Sequence, residues 1–427
     1  MKVFVVGSGG REHAIVWKLS QSPKVEKIYC APGNPGIAGI AECVPIQVGD
    51  LEKLSAFALE QKVDITFVGP EDPLLLGVVN HFEEKGLAVF GPRSEAALIE
   101  GSKSFAKELM KKYSIPTAKY EVFTDYELAL HYIREQGAPI VIKADGLAAG
   151  KGVVVAQSLE EAELALESMM KDEIFGRAGA KVVIEEFLEG EEMTLLAFVD
   201  GTVVKPMVPS QDHKPVYDGD KGPNTGGMGT YAPVPHVSQD LIDQIVEEIV
   251  KPTAQAMVTE GRTFRGILYT GLMMTAKGPK VIEYNARFGD PETQVVLPLL
   301  ETDLLDILIA GASGELESLS IKWKDEAAVC VIMAAEGYPG PYAKDRVIEG
   351  STDDKGAIIF HAGTAMKDGK LITIGGRVLG VTGVAETVEK ARELAYQAID
   401  KGIHFEGAHY RKDIAMKALN RTSLLKN

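Results

Sequence analysis

The chain has 427 residues, 45% hydrophobic and 25% charged, with a formal net charge of −16. This length exceeds one hydrophobic core and predicts two to four domains, while the charge speaks against non-specific binding to nucleic acid or anionic membranes. Cys30, Cys43 and Cys330 form no CxxC pair, which fits buried thiols in a reducing compartment better than disulfides or a zinc site.

The N-terminus, MKVFVVGSGGREH, reads as a first strand and not a signal peptide. No apolar run is long enough to span a bilayer, so a cytoplasmic protein with no membrane partner is expected. Residues 2–6 form that strand, 7–10 a glycine turn and 11–20 a helix, with further strands at 27–31, 64–69 and 87–90. Strands alternating with helices predict a parallel sheet with crossover helices. Gly7-Ser8-Gly9-Gly10 opens the first helix, where backbone N–H groups either hold a phosphate or simply make a structural turn. A dinucleotide fingerprint is not met. Glu12 stands where the third glycine belongs, and the second strand ends in Cys30-Ala31-Pro32-Gly33 without a ribose-gripping acid. Gly33-Asn34-Pro35-Gly36 and Gly69-Pro70-Glu71-Asp72 close later strands, at the edge where open α/β sheets bind ligands.

A second unit begins near Gly101: a strand at 120–123, a helix at 125–136, two strands around a glycine loop, a helix at 159–170 and a strand at 181–185. The loop tract VIKADGLAAGKGVVV (141–155) is not a P-loop. It is one residue short between Gly146 and Gly150, lacks Ser/Thr after Lys151, and runs into a strand. A hairpin lid with Lys143 on its strand and Lys151 at its tip suits a polyphosphate; the alternative is an exposed hairpin with surface lysines. The acidic turn at 185–192 either offers backbone groups to a purine edge and a carboxylate to a ribose, or faces water. Residues 218–229 hold too many glycines to pack as a core, which leaves disorder or an ordered loop lying close to a ligand.

A helix spans 239–259, and then comes VIEYNARFGDPETQ (281–294). Period-two alternation predicts a half-buried strand over 282–288, with Ile282, Tyr284, Ala286 and Phe288 on one face and Glu283, Asn285 and Arg287 on the other. Hard oxygen donors two residues apart can share one Mg²⁺, with Arg287 holding the phosphate that the metal polarises; a solvated polar face is the alternative. The last segment is β-rich: 327–335, 357–361, a strand pair joined at 367–370 through Asp368-Gly369, and a helix at 384–401. No Ser/His/Asp set is spaced for catalysis, and His13 and His213 read as binding or packing residues. The chemistry suggested is electrostatic.

Together these tracts resemble the ATP-grasp superfamily and, within it, the phosphoribosylamine–glycine ligases. The residues responsible are GSGGREHA (7–14), APGNPG (31–36), VGPEDPL (68–74), GSKSFAK (101–107), 141–155, VIEEFLEGEE (183–192), SQDHK (210–214), GPNTGGMGTYAP (222–233) and EYNARFGDPETQVVLP (283–298). The match covers roughly residues 1–320, and the remainder carries no diagnostic motif. The resemblance implies an α/β and α+β multidomain chain: an N-terminal parallel α/β domain (1–101), a two-part ATP-grasp fold (102–325, lid about 120–189) and a C-terminal β-rich domain (326–427). It implies that ATP phosphorylates glycine and that 5-phosphoribosylamine then displaces the phosphate.

By the same resemblance, Lys103 and Lys143 contact ATP phosphates and Lys151 sits on the lid. Glu185 with the backbone of Glu186, Phe187 and Leu188 holds adenine, and Glu192 or Glu191 the ribose. Glu283 and Asn285 bind Mg²⁺ or Mn²⁺, and Arg287 stabilises the transferred phosphoryl group. Asp212, Asp290 and the loop Asn224, Thr225, Gly226, Gly227 and Met228 serve glycine and the amine. Gly9, Gly10, Asn34, Pro35, Gly36 and Glu71 serve the ribose-phosphate end. A monomer is expected. Many superfamily members place another metal carboxylate on the preceding strand, yet GILYTGLMMT (266–275) has no acid.

Overall fold

Five parallel strands open the chain: β1 (Lys2–Gly7), β2 (Lys27–Pro32), β3 (Glu42–Cys43), β4 (Ile65–Val68) and β5 (Val89–Phe90), in the order β3-β2-β1-β4-β5. After Lys2, β1 is apolar because both faces are covered: Phe4 and Val6 join one core and Val3 and Val5 another. The computed structural model describes residues 1–147, 152–171, 179–350 and 356–424, the last four by backbone alone. Among them no helix is long and apolar enough to cross a membrane.

An antiparallel sheet follows, made of β6 (Tyr120–Phe123), β7 (Ile140–Ala144), β8 (Val153–Ala156) and β9 (Val182–Glu186), in the order β6-β9-β7-β8. Helices Tyr126–Gln136 and Leu159–Met170 cover it, burying Ala129, Ile133, Ala162 and Leu166 against Ile142 and Ile184. Asp125 and Ser158 start these helices by accepting backbone N–H groups of Leu128 and Glu161.

Next come β10 (Glu191–Asp200), β11 (Val203–Pro206), β12 (Gln211–Asp212), β13 (Pro215–Tyr217), β14 (Lys221–Asn224) and β15 (Gly229–Ala232). The helix expected over 239–259 is interrupted by a π-turn at Val246–Val250, just before Pro252, whose ring nitrogen cannot donate to the preceding turn. β16 (Arg265–Thr275) and β17 (Gly278–Asn285) complete an antiparallel sheet of order β11-β10-β16-β17.

The last strands are β18 (Ala327–Ala334), β19 (Ile358–His361), β20 (Thr364–Lys367), β21 (Lys370–Thr373) and β22 (Arg377–Ala385). β20 and β21 pair as a separate hairpin, while the other three join a sheet of order β12-β15-β18-β22-β19 that draws strands from before residue 325. Residues 384 and 385 end β22 and do not open a helix. The helix is Val388–Asp400, started by Thr387 accepting from the Lys390 N–H. The glycines that obscure β22 in the sequence are there for close packing, since a Cβ on Gly383 would collide with the Ala391 carbonyl of that helix.

Candidate active site

β17 is bulged. Gly271 faces Glu283 and Leu272 faces Val281, so Ile282 is the extra residue. Val281, not Ile282, therefore takes the core side with Tyr284, and the freed Ile282 carbonyl accepts Lys143 Nζ at 3.0 Å. The ladder ends at Asn285, which places Arg287 beyond the strand and not on it as the alternation suggested. Glu283 is half-buried, and its neighbour Lys214 Nζ stands 3.9 Å from Oε1. Burial raises its carboxyl, but Lys214, Lys143, Lys103 and Arg287 together hold it below the usual range. The Asn285 amide nitrogen faces Glu100 Oε1 at 3.0 Å and the Tyr284 carbonyl at 3.3 Å.

These donors fit a small divalent ion. Glu283 is charged, and the Lys214 ammonium lies beyond hydrogen-bond distance. Among the described residues no group of three His, Cys, Asp or Glu is arranged to cage a metal. A site of one carboxylate and one amide suits an ion completed by phosphate oxygens.

Lysines surround this strand. Lys143 is buried, 2.9 Å from Glu185 Oε1, and Lys107 Nζ donates to Glu185 Oε2 and to Thr117 Oγ1, both at 2.8 Å. Burial pulls Lys107 down to about 8 although Glu185 raises it. Lys103 Nζ donates to the Gly146 carbonyl at 3.0 Å; burial lowers it while Glu283 pulls the other way. Lys151 lies outside the described residues. Expected at adenine, the Glu185 carboxylate is engaged by two ammonium groups. The Glu186 N–H donates to the Lys119 carbonyl at 2.9 Å, which removes it from the hinge groups expected to face a purine. Phe187 and Leu188 follow the end of the ladder. Glu191 pairs with His236 Nε2 at 3.0 Å and Glu192 with Lys214 Nζ at 2.8 Å.

On the other side, Asp212 and Glu292 are buried carboxylates. Tyr269 donates to Glu292 Oε1 at 3.1 Å. Burial and then the Asp212 charge push Glu292 up to about 7, and burial raises Asp212 against the pull of Lys214. Asp290 accepts from Gln294 Nε2 at 2.8 Å and from the Arg11 N–H at 3.4 Å. Arg287 donates to Glu71 at 3.0 Å and pairs with Glu100 at 2.7 Å, so two carboxylates already compensate its charge.

The loop after exposed Asn224 is ordered. Thr225 Oγ1 donates to the Lys214 carbonyl at 2.7 Å, and Gly226 N donates to Tyr338 Oη at 3.1 Å. Met228, expected in the substrate loop, has its side chain fully buried with Val216 and Ala334 and belongs to the core. At the first turn the Gly9 N–H is capped by Glu12 Oε2 at 2.6 Å, and a Cβ on Gly10 would lie 2.7 Å from Gln294 Nε2. The Glu12 side chain lies so close to Gly7 and Gly69 that neither could bear a Cβ. A carboxylate thus fills the crevice that a dinucleotide pyrophosphate would need. Asn34 donates to the carbonyls of Ser8 (2.8 Å) and His361 (2.9 Å) and caps Pro35–Ala38, while a Cβ on Gly36 would meet His13 and His361. The Asn34-Pro35-Gly36 tract therefore seams the N-terminal sheet to the C-terminal one.

Models of three phosphoribosylglycinamide synthetase domains match most of the chain: the N domain over residues 1–100, the ATP-grasp (A) domain over 101–293 and the C domain over 328–417. The chain belongs to the phosphoribosylglycinamide synthetase family. It is 54% identical over 415 residues to the phosphoribosylamine–glycine ligase of Caldanaerobacter subterraneus, covering 97% of this chain and 99% of that protein. The Halalkalibacterium halodurans phosphoribosylamine–glycine ligase is 55% identical over 423 residues, 98% and 97% of the two chains. The crystal structure of the Thermotoga maritima phosphoribosylamine–glycine ligase matches with a TM-score of 0.86 at 38% identity, covering 97% of this chain and all of that one. The parallel N-terminal sheet, ATP-grasp region and C-terminal sheet agree with the expected fold class.

Within this synthetase fold, four residues to which the sequence reading gave no role stand at the site. Lys107, Lys214 and Glu292 sit inside tracts quoted for the resemblance, and only membership of those tracts could have marked them. Arg377 sits in no such tract. Its NH1 reaches the carbonyls of Gly226 (2.6 Å) and Asp290 (2.7 Å), a contact no local pattern announces.

Proposed function

We propose that the protein ligates glycine to 5-phosphoribosylamine at the expense of ATP, giving glycinamide ribonucleotide, ADP and phosphate in de novo purine biosynthesis, and that it works as a cytoplasmic monomer. The observation that carries the reading is the ring of lysines (Lys103, Lys143 and Lys214) whose charges act on Glu283 at the end of β17. Such a site neutralises phosphate and aligns reactants, and needs no side-chain nucleophile.

In this reading Lys103, Lys143 and Lys151 bind the ATP phosphates. The backbone of Phe187 and Leu188 receives adenine, with Glu185 anchoring the lysines beside it, and Glu192 and Glu191 face the ribose. Glu283 and Asn285 would hold Mg²⁺ or Mn²⁺, which when bound neutralises phosphate oxygens. The glycine carboxylate attacks the γ-phosphorus, its bond to the bridging oxygen breaks, and ADP leaves. The amine of phosphoribosylamine then attacks the acyl carbon, phosphate leaves, and the amine loses a proton. Arg287, its guanidinium fixed in place by Glu71 and Glu100, would hydrogen-bond and stabilise the transferred phosphoryl group. Asp212 and Asp290, with the 224–227 loop, orient glycine and the amine. Gly9, Gly10, Asn34, Pro35, Gly36 and Glu71 shape the ribose-phosphate end.

The test is phosphate release from ATP with each substrate omitted in turn. Release that requires both glycine and 5-phosphoribosylamine is expected; equal turnover with bicarbonate or formate and no glycine would overturn the reading.

A further inference from the structure

We propose that Arg377, supplied by the C-terminal sheet, is a positioning residue for the ligation: it pins the glycine loop against the Asp290 turn and, through that loop, sets the backbone of Lys214. The inference rests on the reading above that the 224–227 loop, Asp212 and Asp290 face glycine and the amine.

Arg377 NH1 donates to the Gly226 carbonyl at 2.6 Å, the Asp290 carbonyl at 2.7 Å and, more weakly, the Gly227 carbonyl at 3.4 Å. NH2 lies 3.5 Å from Asp290 Oδ1. One guanidinium thus joins two segments lying 151 and 87 residues before it in the chain. Gly226 is gripped from both ends, because its N–H donates to Tyr338 Oη at 3.1 Å, also from the C-terminal part. The glycines are there for this approach. A Cβ on Gly226 would stand 3.0 Å from the guanidinium carbon, and one on Gly227, at φ +116°, 2.5 Å from Pro291 Cδ.

The loop passes the constraint on. Thr225 Oγ1 accepts the Gly227 N–H at 2.9 Å and donates to the Lys214 carbonyl at 2.7 Å, and the Thr225 N–H donates to that same carbonyl at 2.8 Å. The Lys214 ammonium then sits 2.8 Å from Glu192 Oε2 and 3.9 Å from Glu283 Oε1. A planar fork can serve two carbonyls and a carboxylate at once; a lysine ammonium in its place cannot span them with the same geometry, and a methionine serves none. Lys103, Lys143 and Glu185 take no part in these hydrogen bonds. Arg377 touches the Gly226 and Asp290 backbone directly and reaches Glu192 and Glu283 only through Thr225 and Lys214, so disturbing it should be felt on the substrate side before the nucleotide side.

The experiment measures Michaelis constants for ATP, glycine and 5-phosphoribosylamine in Arg377→Met, Arg377→Lys and Gly226→Ala, with thermal unfolding alongside. Arg377→Met is expected to raise the constant for glycine or the amine by about tenfold or more and to leave that for ATP within about twofold. Gly226→Ala, which displaces the guanidinium from the other side, should show the same split, and Arg377→Lys should recover part of the loss. Native substrate constants in both Arg377→Met and Gly226→Ala would overturn the proposal. So would an ATP constant rising by the same factor as the others. Should Arg377→Met fail to fold, Tyr338→Phe removes only the acceptor for the Gly226 N–H and should give a smaller version of the split; its absence counts against the role. Native protein that releases no phosphate with both substrates would overturn the reaction itself. Native protein that turns over while the variants keep native constants would overturn only the part given to Arg377.

Discussion

On the side proposed for the nucleotide, Lys143 and Glu185 lie on neighbouring strands of one sheet, and Lys107 reaches them from the adjoining helix Lys103–Lys112. Their charges are buried and compensate one another. The side proposed for glycine and the amine is assembled differently: Asp290 follows β17, Gly226 and Gly227 belong to a loop, and Arg377 comes from the C-terminal sheet. Backbone carbonyls and one guanidinium replace the buried ion pairs. The contrast teaches where each side is vulnerable. Removing a charge on the nucleotide side leaves its partner stranded in a dry interior, so stability and activity fall together. On the substrate side a weakened junction shifts a loop while the core remains.

The sharpest way to break this comparison is Glu283→Gln. It removes the only carboxylate among the proposed metal donors and should lower kcat by about two orders of magnitude or more, with the unfolding midpoint little changed. Near-normal turnover at saturating Mg²⁺ would discredit the assignment. Lys107→Met comes next, because it strips one of two ammonium groups from a buried carboxylate. Urea unfolding at neutral pH should show a loss of about 3 kcal/mol; wild-type stability would mean that Lys143 alone suffices for Glu185.

Lys151→Ala probes the lid from the sequence alone and should raise the Michaelis constant for ATP about fivefold, as expected for one charge-assisted contact. An unchanged constant would show that this lysine is not used. The smallest effect belongs to His213, whose Nε2 accepts the Ala415 N–H at 3.3 Å and which feels the charges of Arg411 and Lys417, with Asp220 and Asp413 opposing them. Burial first, then the two cations, push its imidazole down from 6.5 to about 4. The unfolded chain takes up this proton near 6.5 and the folded one only near 4. The neutral ring therefore favours the fold above that window, and the contribution is lost as pH falls through it. Melting between pH 7 and 5 should decline less steeply in His213→Gln, and parallel slopes would remove His213 from the account.

The parts legible in the sequence are those whose causes are local. Helix Leu159–Met170 begins where Ser158 can cap it, and the β20–β21 hairpin turns at Asp368-Gly369, where both residues adopt positive φ. The β7–β8 hairpin was visible from two apolar runs around glycines. The bulge at Ile282 was not, because it is set by the register against β16 and shifts which residue faces the core. Met228 looked like part of a ligand loop, yet the loop's path turns its side chain inward to Val216 and Ala334.

By itself the sequence determined the family, most of the order of elements and the departure from a dinucleotide fingerprint at Glu12. Composition, spacing and Glu12 carry that information within short stretches of chain. Tertiary structure alone decided that Lys107 shares Glu185 with Lys143, that Arg287 is held between Glu71 and Glu100, and that Arg377 closes the glycine loop. Ion pairs and hydrogen bonds depend on distance in space, and a chain pattern records only distance along the backbone.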